Sequence, residues 1–150
     1  MKRFLSFFLV TLLLICFFSV TAIAEPEDKL ISTSVEYLED GSYFVTNVYE
    51  SAIQPRTGLI GSKDSTYYGS DGTKIFVVTV NGTFSYVYGS SAGATGATAV
   101  VSIYSNKASY VSKSAYTRDA SAYAVGTVSY NGINITRTVV LTCDKYGNLS

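Results

Sequence analysis

The run Lys74-Ile75-Phe76-Val77-Val78-Thr79-Val80-Asn81-Gly82-Thr83-Phe84-Ser85-Tyr86-Val87-Tyr88-Gly89 sets the architecture of this chain. Its even positions Phe76, Val78, Val80, Phe84, Tyr86 and Tyr88 are apolar, broken only by Gly82, while Thr79, Asn81, Thr83 and Ser85 between them are polar. Alternate side chains of an extended chain point to opposite faces, so a period of two predicts a long strand with one dry and one wet face. Gly82 predicts a bulge or bend within it.

The flanking segments repeat the pattern. Ser65-Thr66-Tyr67-Tyr68 ahead of Asp71-Gly72 predicts a partner strand joined by a tight turn, because glycine accepts the positive φ such a turn requires. Downstream, Gly89 to Gly96 reads as a small-residue loop. Strands follow over Ala97 to Tyr104, Ser109 to Tyr116 and Ala120 to Tyr130, the last ending at the hairpin pair Asn131-Gly132. The final strand sets Ile133, Ile135, Val139, Leu141 and Cys143 on one face. Arg137 interrupts that face, which predicts either a bulge or a guanidinium reaching solvent at a rim. Upstream, Val35 to Leu38 and Ser42 to Glu50 flank Glu39-Asp40-Gly41 as a short hairpin, and the aperiodic Ser51 to Gly58, with Pro55, reads as a linker.

No window holds a sustained helical period. About six strands at spacings near ten residues, from Gly58 to Cys143, predict an all-β fold. An antiparallel β-sandwich, immunoglobulin-like in outline though lacking the Cys and Trp hallmarks, is the expected form, with a small closed barrel as the alternative. The expected organisation is an N-terminal signal helix over 1–24, a hairpin and linker over 25–57, and the sandwich domain over 58–150.

Met1-Lys2-Arg3 and the apolar run from Phe4 to Val20 lead to Ala22-Ile23-Ala24, a small-residue cleavage site followed by Glu25-Pro26-Glu27-Asp28. This pattern predicts a secretory signal peptide cut after Ala24, in preference to a retained membrane anchor. The whole chain balances 11 Lys+Arg against 11 Asp+Glu and has no His. Without Lys2 and Arg3 it is mildly acidic, which offers nothing to attract nucleic acid or an anionic membrane. Once Cys16 leaves with the signal, Cys143 has no internal partner. A buried thiol is expected there in preference to one exposed for an intermolecular bond.

The absence of histidine removes the commonest general base and metal ligand. Gly89-Ser90-Ser91-Ala92-Gly93 matches the G-x-S-x-G elbow, but lacks the strand-to-helix context and the histidine that would take the serine proton. No lysine has a serine three residues ahead of it, and neither a C-x-x-C nor a calcium-loop pattern occurs. No catalytic residue, cofactor or metal site is expected. The tyrosines are the remaining candidates: Tyr67, Tyr68, Tyr86 and Tyr88 would form an aromatic partner-binding surface if their strands brought them together. Cross-strand packing is the competing reading.

Gly61-Ser62-Lys63-Asp64-Ser65-Thr66-Tyr67-Tyr68, Val80-Asn81-Gly82-Thr83-Phe84-Ser85-Tyr86 and the ending Val139 to Ser150 resemble small secreted proteins of clostridial gut bacteria. Val35 to Tyr43 resembles the acidic hairpin those proteins carry after the signal. The family has no known function, so the resemblance implies export from a Gram-positive cell and no site. A thinner likeness, through the Tyr pair and Ser-rich strands, is to secreted bacteriocins. The expected function is therefore a non-enzymatic extracellular module binding a protein or glycan partner, with no membrane association after cleavage. A bacteriocin-like antagonist is the alternative, and a carboxylate-dependent hydrolase stands behind it.

Overall fold

The computed structural model describes residues 27–54 and 58–150. The expected signal helix over 1–24, with Cys16, lies outside the described residues, as do residues 55–57 of the expected linker. The described chain forms eight antiparallel strands: β1 (Lys29–Tyr37), β2 (Tyr43–Glu50), β3 (Leu59–Tyr68), β4 (Lys74–Val87), β5 (Ser91–Ile103), β6 (Ala108–Arg118), β7 (Ser121–Tyr130) and β8 (Ile133–Thr142). They make two sheets, β1-β2-β3-β4-β5 and β6-β7-β8.

Short turns dictate this order. Asn131 and Gly132 both take positive φ, 50° and 80°, the conformation whose twist matches the two strands it joins. The Asp40 and Asp71 carboxylates accept the backbone N–H two residues on, from Ser42 and Thr73, and close their turns. With such turns each strand folds onto its predecessor. The outline is consequently a meander that changes sheet once, at 104–107; the expected antiparallel two-sheet sandwich stands, and its immunoglobulin-like outline has no support in this strand order.

Three local expectations change as well. The hairpin β1–β2 does not stand ahead of the main body: β2 is paired with β3 from Tyr43↔Tyr68 to Glu50↔Gly61. Gly89 to Gly96 is largely strand, because β5 begins at Ser91, directly after a turn over Tyr88 to Ser90. Gly82 is not itself a bulge. The register with β5 slips one residue later, between Thr83 and Phe84, while Gly82 makes room: a Cβ there would lie 2.7 Å from the Phe84 ring and 3.0 Å from the Ala122 Cβ.

The core lies between β4 and β7. Phe76, Val78, Val80 and Phe84 are buried against Ala122, Ala124 and Val128, with Val139 and Leu141 of β8 beside them. Large side chains on one sheet meet small ones on the other, so the sheets approach closely. A Cβ on Gly126 would lie 2.7 Å from Val78 Cγ2 and 2.9 Å from Val101 Cγ2.

The two flanks of the sandwich differ. β5 and β6 run side by side from their connection at 104–107 to the far end, where Ala94 N–H donates to the Asp119 carbonyl at 2.8 Å. β1 and β8 share no ladder, so the barrel is not closed. At one end of that open seam the chain folds back on β8: Leu149 bridges Cys143, and Thr142 and Ser150 exchange both backbone hydrogen bonds, at 2.9 and 3.0 Å. Leu149 is buried over Gly61.

Candidate functional site

The antiparallel register separates the four tyrosines singled out by sequence. Tyr67 pairs with Phe76 and Leu59 with Phe84, so Tyr67 and Tyr68 sit at the turn end of β3–β4. Tyr86 and Tyr88 lie at the other end, about 30 Å away at the rise of a strand. Tyr67 is buried between Phe44 and Phe76, with ring centroids 5.0 and 5.3 Å apart. Tyr88 meets Tyr146 edge-on at 5.4 Å, and the Tyr86 ring fills the space beside Gly147. These four residues do not form one surface.

Tyr68 belongs to a different row. Tyr37, Tyr43 and Tyr68 are in register across β1, β2 and β3 on the outer face, with successive centroids 5.5 and 5.0 Å apart. Lys74 and Tyr104 continue the row, the ammonium 3.9 Å from the ring centroid. Tyr43 and Tyr68 stack with planes only 12° apart. Tyr43 and Tyr68 cover each other's faces as cross-strand packing, while Tyr37 at the end of the row is tilted by 42° and stays exposed.

The open seam between β1 and β8 gathers the polar groups that the core excludes. The larger sheet is wider than the smaller, and β8 packs over β3 and β4, so β1 is exposed along its whole length while β2 is covered only at Phe44 and Val48. Ser34, Thr46 and Ser65 form one cross-strand row on the inner face. With Lys63 and residues Arg137 to Val140 they line a cleft of ≈ 280 Å³.

Arg137 organises the cleft. The β7–β8 register is unbroken at Gly126↔Arg137, so of the two expectations the bulge is excluded and the rim holds. Its Nε donates to Ser65 Oγ at 2.9 Å, and its Nη1 lies 2.7 Å from Glu36 Oε2 across the seam. The guanidinium covers the Phe44 ring at 4.2 Å. Ser65 is fully buried, and its oxygen also bonds Thr46 Oγ1 at 3.0 Å. The two bonds fix the hydroxyl beneath the guanidinium, away from the surface of the cleft.

Lys63 alternates with Gly61 and Ser65 on the same inner face and has no carboxylate within ion-pair distance among the described residues. Burial, and then the charge of Arg137, hold its ammonium below the usual lysine range. The seam thus carries two cations against one carboxylate, with three hydroxyls beside them. Such a set of donors suits a carboxylate, sulfate or phosphate group.

The other titratable groups lie elsewhere. Asp40, Asp71 and Asp144 accept hydrogen bonds within their own turns, which hold all three below the usual carboxylate range, opposite to what a general acid needs. Asp64 is pushed up by burial but lies on the outer face beside Asn47 N–H. The Cys143 thiol is buried, as the alternation of β8 predicts. Burial and the neighbouring Asp144 push it up, making it a poor nucleophile. Among the described residues no three His, Cys, Asp or Glu side chains gather as a metal site requires, and no helix is long and apolar enough to cross a membrane.

No family model, no curated protein and no solved structure matches the chain.

Proposed function

We propose that this protein is a secreted, non-enzymatic binding module whose β1–β8 seam takes a ligand through an anionic group. The observation that carries the reading is the charge in the cleft: Lys63, half-buried and without a counter-ion among the described residues, beside an Arg137 whose ion pair among them is with Glu36. Holding a partly desolvated ammonium next to a second cation is unfavourable in the free protein, and an incoming anion relieves it. The Ser34 and Thr46 hydroxyls supply neutral hydrogen-bonding groups around that anion.

Titration with acetate, sulfate and a uronic-acid oligosaccharide, followed by the NMR signals of the Lys63 side chain and the Arg137 Nε, tests the reading. Saturable shifts confined to the seam are expected, and Lys63→Gln should weaken binding about tenfold, the worth of one charge-assisted hydrogen bond. Shifts that fail to saturate, or that survive the substitution unchanged, would refute it. Export is tested separately by the N-terminus of protein recovered outside the cell, expected at Glu25.

A further inference from the structure

We propose that the seam receives an extended acidic peptide, which adds to the free edge of β8 as a ninth strand. This rests on the seam being an anion-binding site and names what brings the anion. The open edge of β8 already takes a strand in one place. Leu149 and Ser150 run antiparallel to it, and Thr142 and Ser150 exchange both backbone hydrogen bonds.

That exchange fixes the phase of the whole edge. Thr142 turns its N–H and C=O away from β7, consistent with its side-chain contact to Ser121 at 2.9 Å in a pair without backbone bonds. In an antiparallel ladder the direction alternates residue by residue. Val140, Thr138 and Thr136 therefore also present N–H and C=O to the seam, and no other described strand pairs with them. An edge so exposed is a template for a further strand.

The cleft beside this edge selects the peptide. Continuing the Leu149–Ser150 register places successive peptide residues opposite Leu141, Val140, Val139, Thr138 and Arg137. Residues opposite each other share a face, so those facing Leu141, Val139 and Arg137 point inward over Lys63, Thr46 and Ser34. A glutamate or aspartate opposite Val139 brings its carboxylate to Lys63, supplying the counter-ion that ammonium lacks. Neighbouring inward positions meet hydroxyls and accept threonine or serine.

The test uses a blocked seven-residue peptide of alternating threonine and valine with a central glutamate, beside the same peptide with a central glutamine. Backbone amide exchange of the protein is followed by NMR. The expected result is slowed exchange at Val140 and Thr138 on saturation with the glutamate peptide. Its affinity should be about tenfold above that of the glutamine peptide, and Lys63→Gln should erase that difference. Two results would overturn strand addition: binding that leaves the Val140 and Thr138 amides unprotected, or protection that appears without peptide and grows with protein concentration, which would assign the edge to a second copy of this chain. If acetate and sulfate bind at Lys63 while the peptide protects neither amide, the anion site stands and the ninth strand falls. If neither anion nor peptide binds, both fall.

Discussion

On the β5–β6 flank the two sheets are joined by continuous chain at one end and by a backbone hydrogen bond, Ala94 N–H to the Asp119 carbonyl, at the other. On the β1–β8 flank nothing covalent links the sheets. One ion pair, one buried hydroxyl and one leucine from the chain's final turn span the gap. The first flank is closed in part by backbone that any side chains could share. The second is held by particular side chains, and its stability and its chemistry reside in the same few residues.

Removing the leucine should break this contrast most. Leu149→Ala empties a buried site over Gly61 and releases the turn pairing with Thr142, so denaturant unfolding should show a loss of about 3 kcal/mol. Amides along β8 should open well before those of β5. Arg137→Gln comes next. It removes a charged bond to fully buried Ser65 and the contact with Phe44, at about 2 kcal/mol by the same measurement. Glu36→Gln should cost under about 1 kcal/mol, because Glu36 stays 56% exposed and a solvated ion pair contributes little. Near-equal losses for the two would mean that the ion pair, not the buried hydroxyl, holds the seam.

The smallest effect has the opposite sign. Lys63→Met should raise stability by up to about 1 kcal/mol at neutral pH, since it removes a strained ammonium. Because the folded state lowers the Lys63 pKa from 10.5, the unfolded chain holds that proton more tightly. Wild-type stability therefore gains from this group as pH climbs from its folded value towards 10.5, and the variant lacks the gain. Cys143, raised from 9.0, acts in reverse, losing stability as pH rises above that value. It is common to both proteins and cancels in their difference. Denaturation curves from pH 7 to 11 compare them; a variant no more stable at pH 7 would show that Lys63 is already satisfied in the free seam.

Much of this frame is legible in the residues. Strand β4 follows directly from alternation, and Asp40-Gly41, Asp71-Gly72 and Asn131-Gly132 mark turns that the chain uses. The start of β5 is hidden because Ser91, Ala92, Gly93 and Ala94 are too small to carry a visible period. The misplaced tyrosine surface was a matter of register: Tyr68 immediately precedes the Asp71-Gly72 turn, so its partner had to be the start of β4, far from Tyr86. The seam is harder. Leu59, Gly61, Lys63, Ser65 and Tyr67 alternate on one face, and a lysine within that alternation was a usable sign. Whether such a face is covered depends on how five strands overlie three, which no local pattern encodes.

The meander has a consequence for how the chain reaches this form. Within each sheet the ladder partners are neighbours in sequence, so closing each hairpin loses little entropy, while the packing of β4 against β7 and β8 waits for the second sheet. A polypeptide threaded out N-terminus first zips hairpin by hairpin, β1 with β2, then β3, without holding an unsatisfied strand for long. The tuck of Leu149 comes only after all eight strands have emerged, leaving the β1–β8 gap the last part of the molecule to take shape.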